Sequence, residues 1–279
     1  MIRLLIRFLP IVAPACARTL LYGLLAGALA LAALVSPSSA GPVEDGNAAF
    51  ERGDYATALR LLRAPAEQGN ADAQLLLGIM YQDGEGVPKD PALAAQWIRK
   101  AAEQDNATAE FALGVMYLQA MGVPKDETAA VRWLEKAARQ VPPAQFTLAR
   151  FHEEHGNYAE ALKWYRLLAS QGDADSQNDV GHMYETGRGV QQNYAEAARW
   201  YRLAADQGNA EAQNNLGSLY AKGRGVPRDD VAAYMWFALS AAQDNRPAAE
   251  NREAAAAAMT PAQIAEAEKL VRAWKPKSP

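Results

Sequence analysis

The sequence predicts an all-α fold: a right-handed α/α superhelical solenoid of helix–turn–helix repeats with a C-terminal helical cap. Three observations predict it. One sequence pattern recurs in register five times between residues 71 and 245. Apolar residues within each copy follow helical spacing. Glycine-rich turns and N-cap residues separate the two helical halves of most copies. A fixed period of about 36 residues is typical of arrays whose successive units stack.

Composition and charge limit the class of partner. The chain has 279 residues, half of them hydrophobic, and a formal net charge of −4. Arg3, Arg7 and Arg18 are the charged residues of the first forty positions, and without them 25 basic and 32 acidic residues remain. Because nucleic-acid binding requires an excess of Lys and Arg on one face, we expect no nucleic-acid partner.

The N-terminal region has the features of a secretory signal peptide at residues 1–40. Its arginines precede an apolar run at 20–35, and Ser38 and Ala40 provide small residues before a cleavage point after Ala40. We therefore expect a periplasmic or secreted protein without a membrane span in the mature chain. An uncleaved anchor is the alternative, although the run is short beside the ~20 residues of a span. Lipidation of Cys16, the single cysteine, is disfavoured because the apolar run follows it.

The repeat array is expected to cover residues 41–245. Residues 45–70 carry the second part of the pattern and are interpreted as an incomplete, capping repeat. The five complete repeats are 71–106, 107–141, 142–173, 174–209 and 210–245.

The first helix of each repeat has a small residue at its centre. Glycine is unfavourable there by about 1 kcal/mol relative to alanine, so its recurrence predicts close contact between helices. The central residues are Gly78, Gly114, Ala149, Gly181 and Gly217.

The second helix follows a turn of the type Gly-x-Gly-Val, and alanine pairs flank a tryptophan within it. We expect the indole rings to fill the space between neighbouring helices. The tryptophans are Trp97, Trp133, Trp164, Trp200 and Trp236, and the expected N-caps are Asp90, Asp126, Asn193 and Asp229.

Repeat three differs from its neighbours. Its turn is shortened to residues 155–158 and lacks the Gly-x-Gly-Val element. The array is therefore expected to change curvature or stiffness there.

Two helices are expected to cap the array at residues 246–274. The first covers 247–258, and the second begins at a capping box in which Thr260 is the N-cap and Gln263 the third helical residue. Residues 275–279 are expected to form a loose tail.

These motifs together resemble those of the Sel-1-like repeat family, which is related to the tetratricopeptide repeats. The residues that carry the resemblance are Ala-x-Ala-Gln-x-x-Leu-Gly-x-x-Tyr, Gly-x-Gly-Val-x-x-Asp, Ala-Ala-x-Trp and Ala-Ala-x-Gln-Gly. The resemblance covers roughly residues 45–245. It implies an α-solenoid that acts as an adaptor in protein complexes, and exported bacterial members are often linked to the cell envelope.

The sequence contains no convincing catalytic or metal-binding motif. His152 and His155 are three residues apart, whereas the zinc-protease motif places its histidines four apart. The Gly-x-Gly turns join helix to helix, whereas dinucleotide binding requires a strand before the turn. We therefore expect a protein without enzymatic activity, cofactor or metal.

Candidate binding residues come from the positions that vary between repeats. By analogy with tetratricopeptide packing, the fifth and ninth residues of each first helix line a concave groove. These positions and one twelfth position predict an apolar N-terminal part and a polar C-terminal part. The candidates are Leu75, Ile79, Phe111, Val115, Leu118, Phe146, Arg150, Asn178, His182 and Asn214. The alternative is that the apolar residues pack against the next repeat and form no patch.

The predicted function is that of a non-enzymatic scaffold or adaptor in the bacterial cell envelope. It would bind a segment of a protein partner in its groove, an established mode of peptide recognition. The alternative is an envelope protein directed to peptidoglycan or exopolysaccharide, acting on or with a cell-wall enzyme.

Overall fold

The computed structural model describes residues 41–277, and within that range it contains fourteen α-helices and no β-strand. The predicted signal peptide lies outside the described residues. No helix in residues 41–277 is both long and apolar enough to cross a membrane. The helices are α1 (Pro42–Glu51), α2 (Tyr55–Glu67), α3 (Ala71–Asp83), α4 (Pro91–Ala102), α5 (Ala107–Gln119), α6 (Glu127–Ala137), α7 (Pro142–Glu154), α8 (Tyr158–Ser170), α9 (Ala174–Thr186), α10 (Tyr194–Asp206), α11 (Ala210–Lys222), α12 (Asp230–Ala241), α13 (Arg246–Ala257) and α14 (Pro261–Ala273).

The helices form consecutive helical hairpins, so the predicted all-α solenoid class is confirmed. The chain divides into two compact units, Met1–Leu148 and Ala149–Pro279. The division falls within α7. We refer to the described residues of these units as the first unit and the second unit.

Side-chain caps begin most of the helices. The predicted N-caps Asp90, Asp126, Asn193 and Asp229 each accept a hydrogen bond from a backbone N–H of the following turn. The first helices are capped in the same way, at Asn70, Asn106, Asp173 and Asn209. Because these caps recur at the start of both helices in four of the five repeats, they fix where those helices start.

The central glycines bring the two helices of a hairpin into close contact, as predicted. A Cβ atom at Gly78 would lie 2.5 Å from Ile98 Cγ1, and one at Gly181 would lie 2.6 Å from Tyr201 Cδ1. Ile98 and Tyr201 are the residues that follow Trp97 and Trp200.

The tryptophans are therefore not the side chains that pack on the glycines. Four of the five are only half-buried, and Trp236 alone among them is buried. The expectation that the indole fills the space between the helices is corrected: the residue after the tryptophan occupies that space. Helical geometry explains the shift, because adjacent residues of a helix point about 100° apart and only one of them can face the glycine.

The second glycine of each long turn contacts the preceding repeat. A Cβ atom at Gly122 would lie 1.9 Å from the Pro91 carbonyl oxygen, and one at Gly225 would lie 2.2 Å from the Tyr194 carbonyl oxygen. Both glycines have a positive φ. Repeat three lacks this contact, since a Cβ atom at Gly156 would meet no atom within 4 Å.

A glutamine near the start of the first helix joins successive repeats. In the first unit, buried Gln74 donates through Nε2 to the Ala66 carbonyl at 3.0 Å and accepts from Gln104 at 2.8 Å. The second unit repeats the arrangement around Gln177 and Gln213. These bonds satisfy carbonyls at the end of the preceding helix, so they fix the register between hairpins.

The C-terminal cap has the predicted capping box, with reciprocal hydrogen bonds between Thr260 and Gln263. The prediction of a loose tail is wrong for the described residues up to Lys277. Its backbone N–H donates to the Asp206 carbonyl at 2.8 Å, and its Nζ lies 2.8 Å from Asp206 Oδ2. Two hydrogen-bond partners on one residue, Asp206, therefore hold the chain end.

Candidate functional site

The apolar candidates of the first unit are mostly buried. Leu75, Ile79, Phe111 and Val115 are at most 4 % exposed. Leu118 and Phe146 are half-buried. The apolar end of the predicted groove is therefore corrected: these four side chains are too little exposed to form a binding patch.

A cleft of about 420 Å³ lies beside these residues in the first unit. It is formed where the N-terminal ends of α1, α3 and α5 meet residues 140–141. Glu44, Asp72 and Asn106 are among its polar lining residues, and Asn106 Nδ2 donates to Asp72 Oδ1 at 2.9 Å. The cleft is small for a partner helix, and its polar groups bond to one another.

The polar candidates of the second unit remain accessible to different degrees. His182 is exposed, Arg150 and Asn214 are half-buried, and Asn178 is buried at 6 % exposure. Asn215 donates to Asn178 at 3.1 Å, and Asn251 donates to Asn214 at 2.9 Å. These amide pairs connect α9 to α11 and α11 to α13, so Asn178 and Asn214 lie on a polar face that these helices share.

The same face carries a group of carboxylates that the sequence analysis did not select as candidates. We call Glu153, Asp175, Asp179, Glu185 and Glu211 the acidic face. They come from α7, α9 and α11. Asp179 and Asp175 occupy the sixth and second positions of α9, beside the fifth position that was chosen as a candidate. The signal was present in the sequence, since Ala-Asp-Ser-Gln-Asn-Asp carries two acids where the first repeats carry one or none.

Burial and like charges raise the pKa values of two of these carboxyls. Burial, followed by the charges of Glu153 and Asp175, raises the pKa of Asp179 to about 8. Burial, followed by Asp173 and Glu211, raises the pKa of Asp175 to about 6. Each shift shows that the neighbouring acids lie close enough to oppose a further negative charge. A cation bound on this face would instead lower the pKa values of these carboxyls.

Two buried tyrosines hold the acidic face in place. Tyr165 donates its hydroxyl to Glu153 Oε2 at 2.9 Å, and Tyr201 donates to Glu185 Oε2 at 2.7 Å. Glu153 also lies 3.2 Å from Arg150. Arg150 is thus a cation that is already paired with one carboxylate of the acidic face. The arrangement provides several oriented hydrogen-bond acceptors for a positively charged ligand.

Across residues 41–277, no group of three or more His, Cys, Asp or Glu side chains is placed to hold a metal ion. His155, directly after α7, has other contacts: its Nδ1 lies 2.8 Å from the Phe151 carbonyl oxygen, and its ring packs on Phe151 with ring centres 4.2 Å apart.

The stacked hairpins and their repeated junctions define a helical-repeat protein. The Sel1 repeat matches residues 71–106, 107–141, 142–173, 174–209 and 210–245, which is more than half of the chain. The chain therefore belongs to the Sel1 repeat family. The matched segments have the same bounds as the five repeats predicted from the sequence.

One solved structure supports this assignment, and a second is reported for its sequence similarity alone. A Sel1 repeat protein from Oxalobacter formigenes is 36 % identical over 75 % of this chain and 86 % of its own, with a TM-score of 0.61. A protective antigen from uropathogenic Escherichia coli strains is 28 % identical over 83 % of this chain and 67 % of its own, with a TM-score of 0.47. No curated protein matches the chain. Sel1 repeats generally mediate protein–protein interactions, and the proteins that contain them are typically non-catalytic scaffolds.

Proposed function

We propose that this chain is an exported, non-enzymatic adaptor that binds a positively charged segment of a partner protein on the acidic face of its second unit. The observation that carries the proposal is the arrangement of the five acidic-face carboxylates on α7, α9 and α11. Family membership supports a protein as the partner. The excess of acidic over basic residues in the sequence supports a cationic one.

Energetics favour a cation on this face. Asp179 has a pKa of about 8, so it is largely protonated at neutral pH in the free protein. A bound lysine or arginine would stabilise its ionised form and would form charge-assisted hydrogen bonds with the neighbouring acids. Binding is therefore expected to release a proton and to strengthen as pH rises from 6 to 9.

A defined peptide tests the charge preference. The probe is a fluorescent decapeptide of alternating lysine and glycine, titrated with purified protein and followed by anisotropy. The variant Asp175→Asn/Glu211→Gln is expected to weaken binding about tenfold. The matched variant Glu44→Gln/Asp72→Asn removes the same charge from the first unit, and we expect it to bind like the wild type.

The results that would contradict the proposal are equal losses in the two variants, or no binding by the wild type. Equal losses would mean that net charge alone attracts the peptide. A peptide of alternating glutamate and glycine provides the reverse control and is expected not to bind. Higher salt should weaken the specific complex, because surface charges are screened.

Export is the second part of the proposal. It is supported by the arginines, the apolar run and the small residues of positions 1–40. Expression in a Gram-negative host, followed by fractionation and N-terminal sequencing, tests it. The expected result is periplasmic protein beginning at Gly41. Full-length protein in the cytoplasm would contradict export, and full-length protein in the inner membrane would favour the uncleaved anchor.

A second candidate is recognition of an acidic cell-wall or capsular polymer. It is favoured by a surface trench of about 270 Å³ on α6, lined by Arg132, Trp133, Glu135, Lys136 and Arg139. Lys136 Nζ lies 4.9 Å from the centre of the Trp133 ring. An indole offers an apolar surface to a sugar ring, and arginine pairs with carboxylates. Binding to a uronic-acid polymer that is lost on Trp133→Ala would support this candidate, and absence of binding would reject it.

A further inference from the structure

The chain end occupies a defined site formed by repeat five and the end of repeat four, which we call the site on repeat five. Trp274 packs edge-on against Trp236, with ring centres 6.5 Å apart, and its ring also lies above Gly208. Pro276 approaches Gly208 as well, and Lys277 bonds to Asp206 through backbone and side chain. Residues 274–277 thus cross from α12 to the end of α10.

This contact, together with α14, covers an apolar side chain of the repeat. Leu239 lies three residues after Trp236 on α12, which places both on one side of the helix. Trp274 and Val271 pack against the cluster that contains Leu239 and Trp236. Leu239 is consequently only 8 % exposed.

Repeat four presents the same surface without a cover. Thirty-six residues before the site on repeat five lie Trp200, Leu203, Gly172 and Ser170, which we call the repeat-four site. Gly172 has a φ of 94°, close to the 97° of Gly208, so the backbone takes the same course. Leu203 is 44 % exposed, against 8 % for Leu239.

We propose that the repeat-four site binds a segment of a partner protein with the chemistry of residues 274–277: an aromatic residue followed by an extended stretch containing proline. The aromatic ring would lie over Gly172 and against Trp200, and it would cover Leu203. The backbone of the segment would reach the Ser170 carbonyl, at the position where Lys277 bonds to Asp206. The argument is one of repeat equivalence, since the chain itself shows how this surface is filled one repeat later.

The repeat-four site and the site on repeat five differ in charge at one position. Ser170 replaces Asp206, so the ion pair made by Lys277 has no counterpart in repeat four. A lysine at that position of the partner is therefore not required. The repeat-four site lies on second helices and interhelical loops, whereas the acidic face lies on first helices, so this inference does not depend on the proposed function.

A peptide copied from residues 261–277 is the probe, because its fit to the equivalent surface is visible. It carries a fluorophore at its N-terminus and is titrated with the purified full chain. The wild type is expected to bind it. Leu203→Glu should weaken binding at least tenfold, Leu203→Ala should weaken it less, and a peptide with alanine in place of the tryptophan should not bind.

Leu270→Glu is the matched control, since Leu270 is 38 % exposed and lies on α14, outside the repeat-four site. It should leave the affinity unchanged. Melting temperatures of the three variants check that each is folded. Binding that survives Leu203→Glu would show that the peptide replaces the chain's own end on repeat five, and it would overturn the proposal. Absence of binding to the wild type would overturn it as well.

Discussion

The first helices of the two units use the same scaffold for different purposes. In the first unit, the fifth and ninth positions hold Leu75, Ile79, Phe111 and Val115, all of them buried. In the second unit the corresponding positions hold polar residues, namely Arg150, Asn178, His182, Asn214 and Ser218. The glutamine junctions and glycine contacts are shared by both units. The constant residues build the hairpins in both units, whereas the variable ones are core residues in the first unit and polar residues, which we propose to act in recognition, in the second.

The largest expected effect lies in the first unit. Phe111→Ala removes a fully buried ring and should lower the free energy of unfolding by about 4 kcal/mol. A change at the exposed ninth position of α9 in the second unit, His182→Ala, should alter the free energy of unfolding by less than about 0.5 kcal/mol. Urea denaturation of both variants measures the difference. An unchanged midpoint for Phe111→Ala would mean that this ring does not stabilise the core, and it would favour the apolar groove.

A smaller effect, equal in the two units, is expected at the central glycines, which make the same kind of contact in both units. Gly78→Ala and Gly181→Ala each place a Cβ atom within 2.6 Å of a side chain of the paired helix. Each substitution should lower the free energy of unfolding by about 2 kcal/mol, because overpacking forces the neighbouring side chains to move. Thermal unfolding of the two variants tests whether the scaffold is shared. A cost in one unit and none in the other would show that the hairpins are not equivalent.

The acidic face predicts a pH dependence that is confined to the second unit. The pKa of Asp179 is raised from 3.8 to about 8, so the folded state binds more protons than the unfolded state between these pH values. The contribution of this group to stability is therefore present below pH 4 and decreases as pH rises towards 8. Asp179→Asn removes the carboxyl whose ionisation lowers the stability, so it should raise Tm by about 4 °C at pH 8.

The same substitution should change Tm little at pH 4, where wild-type Asp179 is protonated in the folded state. Calorimetry at both pH values measures the effect. Asp72→Asn, an exposed acid of the first unit, is the control and should show no such trend. An equal Tm difference at both pH values for Asp179→Asn would contradict the crowding of negative charge on the acidic face.

The smallest effects are expected at the caps, which are common to both units. Asp126→Ala and Asn193→Ala each remove a side chain that accepts a backbone hydrogen bond at a helix start. Each should lower the free energy of unfolding by about 1 kcal/mol. Chemical denaturation gives both values. A negligible effect at either site would mean that tertiary packing alone determines where that helix begins.

The architecture was largely predictable because its signals are local and repeated. N-caps, the capping box, the turn glycines and the central glycines each depend on a few neighbouring residues, and five copies fix the register. The burial of Leu75 and Phe111 was not predictable from register, since the fifth position can face either a groove or the next helix. The role of Ile98 and Tyr201 was missed because the recurring tryptophan beside them is the more conspicuous residue.

The two acids of α9 are visible in the sequence, but their grouping with acids of other helices and the binding of the chain end are not. Asp179 becomes unusual only when Glu153 and Asp175, from separate positions of the chain, lie beside it. Lys277 likewise binds Asp206, which is 71 residues away. Such long-range pairs leave no periodic trace in one sequence. They have to be read from the folded chain.

Capture of partners from a periplasmic extract tests most directly whether recognition belongs to the second unit and not to the first. Three immobilised proteins are compared by quantitative mass spectrometry: the wild type, Asp175→Asn/Glu211→Gln and Glu44→Gln/Asp72→Asn. Recognition by the acidic face predicts proteins that are retained by the wild type and the first-unit variant and are lost from the second-unit variant. Equal retention by all three, or loss from the first-unit variant alone, would contradict it.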